Sequence, residues 1–267
     1  MTDTTRIGRR RWLQRALGAA SGLALSACNK LAQSQGVNST LESAEGLTRG
    51  VQRLLLGRHA LAPEYSASDI STAFRANGTI DPGTDEYNQH VQAGFADWRL
   101  KVSGLVENPL ELSLADLRRI ASRTQITRHD CVEGWSCIGE WKGAPLAHIL
   151  ALAKPKPQSR YVVFYCADPM GQADVDAQGN LIPAPFYYES LDLLEATHPQ
   201  TILAYELNGQ VLPVEHGAPI RVRAERQLGY KMPKYVQRIE LVDSFARIGG
   251  GKGGYWEDQG YQWYGGI

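Results

Sequence analysis

The chain of 267 residues carries 28 lysines and arginines against 28 aspartates and glutamates, so its formal charge is zero. That balance, with no block of like charge, excludes the basic footprint of a nucleic-acid binder, and no nucleic-acid partner is expected. At 43% hydrophobic residues the composition is that of an ordinary globular protein large enough to bury one sizeable core.

The first 28 residues read as an address and not as fold. Arg9-Arg10-Arg11-Trp12-Leu13 places paired arginines before an aromatic and an apolar residue, and a weakly apolar stretch follows from Ala16 to Ala27. Such a stretch is too short to span a bilayer, which takes about 20 residues. Charge, apolar run and small residues in that order form a twin-arginine signal, read by the twin-arginine translocase and used mainly by proteins that fold and load a cofactor before export. The expected location is the periplasm. Leu25-Ser26-Ala27-Cys28 also fits a lipoprotein signal, in which Cys28 becomes a lipidated N-terminus, and cleavage nearby without lipidation fits equally. Residues 29–57, polar and small at first, are expected to be a tether.

Residues 58–248 carry the fold. The stretch to about His90 is irregular, with Pro63, Asn77-Gly78 and Asp81-Pro82-Gly83, and reads as an arm over the domain. Trp98, Leu100 and Val102 alternate with polar residues as a half-buried strand does. Ser113 can cap a helix over Leu114 to Ile120, with Asp116 in its first turn. Gln125 to Val132 reads as a strand and Pro145 to Ala153 as a helix opened by proline. Strands are expected at Arg160–Cys166, Thr201–Leu207, Ile220–Ala224 and Val236–Val242, with Asn208-Gly209 turning a hairpin. Strands outnumber helices without alternating with them, which predicts an α+β fold on a mixed sheet. No phosphate-binding glycine loop and no repeat appears.

Chemistry concentrates in three places. The first is Thr127-Arg128-His129-Asp130-Cys131-Val132-Glu133-Gly134-Trp135-Ser136, where a cysteine ends a strand and its thiolate could ligate a metal. Cys131 reads equally as a buried structural cysteine or as half of a disulfide with Cys137. Without Cys28 three cysteines remain, so at least one thiol is free or otherwise occupied, and their spacings match neither zinc nor covalent haem patterns. The second is Leu212 to Arg223, where strand alternation points Arg221 and Arg223 to one face. The third is Arg226 to Lys234. Five basic side chains (Arg221, Arg223, Arg226, Lys231, Lys234) within 14 residues suit a phosphate dianion. Spacing alone favours the other reading, a set of surface cations paired with Glu225, Glu240 and Asp243.

Jointly these motifs resemble the sulfite oxidase superfamily of molybdenum enzymes, in the bacterial branch that holds the methionine sulfoxide reductase catalytic subunits. The resemblance runs from about Asn77 to Val242. It rests on Cys-Val-Glu-x-Trp-Ser at 131–136, Trp-x-Gly-x-Pro-Leu at 141–146, Leu-Ala-Tyr-Glu-x-Asn-Gly at 203–209 and Gly-Ala-Pro-x-Arg at 217–221. It implies a sulfite-oxidase-type α+β domain around a molybdenum–molybdopterin cofactor. Cys131 stands where the family's catalytic cysteine gives its thiolate to the metal. Asn77 resembles the asparagine that touches the pterin from the arm. His216 occupies a position held by asparagine or histidine in the two branches. Arg221, Lys231, Met232 and Lys234 fall on the phosphate and pterin clasp, and Cys166 falls near a pterin-contacting threonine.

The resemblance also bears on substrate. Sulfite oxidases carry anion-binding arginines shortly after the cysteine, whereas this chain has Glu133, Gly134, Trp135 and Ser136. An acidic, aromatic entrance suits a neutral or zwitterionic oxide, small or protein-bound, such as a sulfoxide. Sulfite oxidation is the alternative within the family. Outside it, a non-catalytic periplasmic lipoprotein and, less favoured without C-x-x-C, a thiol–disulfide enzyme are the rivals. The chain holds no flavin, haem or iron–sulfur motif, so electrons need a partner, and the resemblance implies a membrane haem b subunit or a soluble cytochrome. The tail, Gly249 to Ile267, holds eight glycines and five Tyr or Trp residues. It is expected either to fold over the mouth of the site or to pack as an aromatic tail.

Overall fold

A computed structural model describes residues 46–54, 57, 59–176 and 178–267. The export signal, Cys28 and most of the expected tether lie outside these residues. The chain divides into two units, Met1–Leu55 and Leu56–Ile267. In the first, residues 46–54 are helical where a tether is expected from sequence; Leu47, Val51 and Leu54 follow helical spacing within the polar text. Among the described residues no helix is long and apolar enough to cross a membrane.

The second unit is built on two main sheets. The first has the order β2 (Leu110–Ser113), β1 (Arg99–Gly104), β12 (Val236–Val242), β5 (Tyr161–Pro169) and β8 (Phe186–Asp192). Its β1 and β12 run parallel and the other neighbours antiparallel, so the sheet is mixed, as expected. The second has the order β10 (Gln210–Val211), β9 (Ile202–Leu207), β4 (Ser136–Pro145) and β3 (Arg123–Asp130), with β11 (Arg221–Arg223) on β9. A hairpin of β6 (Asp174–Val175) and β7 (Leu181–Ile182) completes the set.

The main core draws on both sheets, with Val102, Phe164, Leu191, Ile239 and Leu241 from one and Leu203, Tyr205 and Val222 from the other. Residues of β9 serve both faces: Leu203 and Tyr205 enter this core, while Ile202 and Ala204 point the other way and, with Leu207 at the strand end, join Trp141 and Leu212 in a second cluster. Both faces of β9 are therefore covered, and Ile202 to Tyr205 reads as an unbroken apolar run.

Helix ends follow local chemistry. The Ser113 side chain accepts from the Asp116 amide while the Asp116 carboxylate accepts from the Ser113 amide, the reciprocal cap expected at Leu114–Arg119. Leu146–Ala153 begins after Pro145, as expected. Several elements are absent from the sequence reading, among them β2, β4, β8 and the helix Asp85–Gln92. Strand β4 contains Gly139, Gly143 and Pro145, a composition poor in strand formers. Helix Asp85–Gln92 is capped by Thr84 and buries only Tyr87, so its apolar face is too thin to read.

The arm is fastened to the second cluster by Phe74, which lies edge-on to Trp141 at 5.1 Å and to His216 at 5.7 Å and tilted to His129 at 5.9 Å. The tail belongs to the same compact unit. Trp263 packs on Tyr161 and Phe245, and Leu228 donates its amide to the Gly265 carbonyl at 2.7 Å.

Candidate active site

Strand β3 ends at Asp130, and β4 begins opposite it at Ser136. Residues 131–135 make the connection: the Cys131 amide donates to the Trp135 carbonyl, and the Gly134 amide to the Cys131 carbonyl, both at 3.0 Å. Gly134 sits at φ +85°, where a side chain would be strained. This turn holds a half-buried Cys131 thiol at the wall of a cavity also lined by Glu133. Burial raises the thiol pKa above its ordinary value. Cys131, Cys137 and Cys166 are all free thiols, and the Cys131–Cys137 bond that the spacing allowed is not formed.

Opposite walls come from distant segments: Asn77 and Thr79 of the arm, Asp168 at the end of β5, Gly229 and Tyr230, Met232 and Lys234, and Trp256 and Tyr261 of the tail. Both readings of the tail therefore hold, since it packs on the domain and walls the mouth.

Burial and pairing sort the basic cluster. The five cations are buried, not a surface set. Arg223 pairs with Glu225 at 2.6 Å and Arg226 with Glu195 at 2.7 Å. Lys231, expected in the clasp, is not brought to the cavity wall. It lies between two buried carboxylates, bonded to Glu189 and, at 2.6 Å, to Glu257. Their combined charge holds Lys231 there.

Arg221 and Lys234 have no carboxylate partner among the described residues. Arg221 donates to the carbonyls of His216 (3.2 Å) and Met232 (3.4 Å), stacks over Trp141 at 5.0 Å, and leaves Nε without a partner. Burial and the neighbouring Arg223 push its pKa down to about 9. Lys234 donates to the carbonyls of Asn77 (2.6 Å), Thr79 and Glu215 (3.2 Å). Burial, then Arg221, pushes its pKa down to about 7. Two of its protons thus tie the arm to the domain, and the third meets Glu215 within the domain.

Further polar atoms are buried without partners among the described residues. The Arg223 guanidinium can only donate, so His129 Nδ1 accepts from it at 3.0 Å, which leaves the proton on Nε2. That Nε2 has no acceptor among these residues. It lies against Gly229, where an added Cβ would come within 2.5 Å of it, so a bare glycine is needed there. Burial keeps His129 neutral. His216 Nδ1 is likewise unpartnered, and burial lowers the His216 pKa. Asp168 Oδ1 is unpartnered too, and burial raises its carboxyl to about 6.

Two buried cations without counter-ions and these orphaned atoms lie on the cavity walls or one contact behind them. The arrangement is incomplete without a ligand that carries negative charge, hydrogen-bonding edges and a centre for a thiolate.

A model of the oxidoreductase molybdopterin binding domain matches residues 88–247. The chain belongs to this family. It is 38% identical over 97% of its length to "Putative protein-methionine-sulfoxide reductase subunit YedZ1" of Azospira oryzae, covering 87% of that protein. It is 35% identical over 68% of its length to the protein-methionine-sulfoxide reductase catalytic subunit MsrP of Ralstonia nicotianae, covering 56% of it. To MsrP of Gluconobacter oxydans it is 37% identical over 62% of its length, covering 52%. The chain thus spans most of the first relative and about half of each MsrP.

The residues fit the family's cofactor. Arg221 is a buried cation without a carboxylate partner among the described residues, Asn77, Met232 and Lys234 stand on the wall, His129 and His216 offer ring nitrogens, and Cys131 offers the thiol. Cys166 is the exception. It lies in the main core and lines a separate cavity, deeper along β5 among the core side chains. Asp168, two residues further on, reaches the wall instead and is missed from sequence. His129 is missed as well, because a histidine on a strand face carries no signal of what its second nitrogen meets.

Proposed function

We propose that this oxidoreductase reduces a neutral S-oxide in the periplasm. The sulfoxide takes up two electrons and two protons, its sulfur–oxygen bond breaks, and a sulfide and one water leave. The observation that carries the reading is Glu133. It lines the cavity with Cys131, at a position where an anion-oxidising site would need positive charge. Trp135 donates through Nε1 to Glu133 at 2.9 Å, while Arg75 stacks over Trp135 at 5.0 Å and pairs with Glu133 at 3.9 Å, so the aromatic rim is held in place with an exposed arginine partly offsetting its acidic charge. The names of the relatives support the same substrate class.

When bound, the cofactor supplies molybdenum, which exchanges two electrons with the substrate. The chain's own residues do the rest. Cys131 would give its thiolate to the metal. Arg221, Asn77, Met232 and Lys234 with the ring nitrogens of His129 and His216 orient the cofactor. Glu133 and the aromatic wall admit an uncharged oxide and disfavour an anion.

Electrons arrive from a membrane haem b subunit or a soluble cytochrome, and the twin-arginine route delivers the folded, loaded enzyme. Lipidation at Cys28 would keep it near such a membrane donor. Turnover of methionine sulfoxide with reduced dye, set against sulfite-dependent reduction of cytochrome c, tests the reading. Sulfoxide reduction should be faster, and a sulfite rate well above it would overturn the proposal.

A further inference from the structure

The family match ends at residue 247, and the tail that follows it still supplies part of the cavity wall. Its attachment is extensive. Glu257 bonds Lys231 at 2.6 Å, Tyr230 donates its hydroxyl to the Gln262 carbonyl at 2.7 Å, and Trp263 donates to the Ser190 hydroxyl at 2.9 Å. Thus anchored, Trp256 and Tyr261 stand 5.3 Å apart with planes 30° from parallel, and Tyr261 meets Tyr230 edge-on at 5.4 Å. The three rings line the same cavity as Cys131 and Glu133, and Tyr261 is 41% exposed.

We infer that the tail is a specificity element, in which Trp256 and Tyr261 with Tyr230 take up the alkyl and sulfur portion of a sulfoxide substrate. The inference rests on the sulfoxide reading above. Sulfur and methyl groups gain from contact with aromatic rings, and the electron-poor sulfur of a sulfoxide suits their negative faces. The rings select by shape and polarisability while Glu133 disfavours negative charge, so the two features discriminate independently. A larger alkyl arm covers more of the wall than a methyl group does, so peptide-capped methionine sulfoxide should depend on it more than dimethyl sulfoxide.

The test uses the molybdenum-loaded enzyme with reduced dye and both sulfoxides. Tyr261→Ala should raise KM for the capped methionine sulfoxide on the order of tenfold, raise KM for dimethyl sulfoxide less, and leave molybdenum content and kcat near wild type. Tyr261→Phe should recover the wild-type KM, and Trp256→Phe should fall between. An unchanged KM in Tyr261→Ala overturns the inference, as does a fall in kcat that tracks loss of molybdenum, the mark of a merely structural role. Wild-type enzyme that turns over neither sulfoxide overturns the substrate reading itself, and the inference with it.

Discussion

Lys234 and Asn77 stand 157 positions apart in sequence and meet at 2.6 Å, the Lys234 ammonium donating to the Asn77 carbonyl. With bonds from the same ammonium to Thr79 and Glu215, this contact places the arm on the cavity wall. Lys234 is therefore as much a staple for the arm as a cation for the cofactor. Replacing it with alanine should expose the arm to protease near residues 77–79 and lower cofactor content together. Mass mapping of limited digests beside molybdenum analysis checks both effects. An arm that stays protected would show that Phe74 and the Tyr235 hydroxyl bond to the Thr79 carbonyl hold it without Lys234.

Cys131→Ser should give soluble, folded protein without bound molybdenum and without activity, because a hydroxyl is a poor substitute for a soft thiolate. Cys137→Ser should be mild, since the Cys137 thiol makes only a weak 3.8 Å contact to the Ala73 carbonyl. Metal analysis and circular dichroism on both variants decide it. Full activity in Cys131→Ser would end the molybdenum assignment.

Arg221→Ala should yield protein depleted in pterin as well as metal. A charged hydrogen bond lost from a buried site costs about 2 kcal/mol or more, and the neighbouring guanidiniums of Arg223 and Arg226 are already held by Glu225 and Glu195. Fluorescence of the extracted, oxidised pterin gives the ratio directly. Arg221→Lys should retain an intermediate amount, because a point charge cannot reproduce the planar fork.

Lys231→Met should destabilise the fold by roughly 3–5 kcal/mol, since it leaves Glu189 and Glu257 buried without their cation. Burial already pushes the Glu189 carboxyl well above its ordinary value. Adding Glu189→Gln and Glu257→Gln should recover much of the loss. Thermal melts of the single and triple variants test this, and a single variant as stable as wild type would show that the triad does not hold the tail.

His198 supplies an acid limit. It is held neutral, with Nε2 3.1 Å from the Ala60 carbonyl and Nδ1 accepting from the Gln200 amide at 3.3 Å. Burial, then Arg226, pushes its pKa from about 6.5 down to about 4. The unfolded chain therefore binds the extra proton in that window. The histidine's contribution is complete above pH 6.5 and is lost as pH falls towards 4. The melting temperature of wild type relative to His198→Gln should fall across that range. Parallel curves would remove His198 from the acid response.

Much of this protein is legible in one dimension. Alternation along Trp98–Val102, the strand at Val236–Val242, the Ser113 cap and the Asn208-Gly209 turn depend on neighbours a few residues away, and they come out as read. Motif order likewise points to the family whose model matches residues 88–247, because residues that serve one cofactor recur in a set order. Strand β4 was hidden because its glycines serve close packing, with Gly143 so near β9 that a Cβ would lie 2.2 Å from the Leu203 carbonyl. Which of five clustered cations stays unpaired was equally out of reach. The partners of Arg226 and Lys231 come from Glu195, Glu189 and Glu257, 26 to 42 residues away, and only the folded chain brings them together. Tertiary structure likewise set the end of β5 at the cavity, so that Asp168 reaches its wall while Cys166 stays in the core, and it carried the tail back to the mouth. Local pattern follows from the sequence alone because its forces act over a turn or a strand; charge pairing and cavity walls follow from contacts that exist only once the chain has closed on itself.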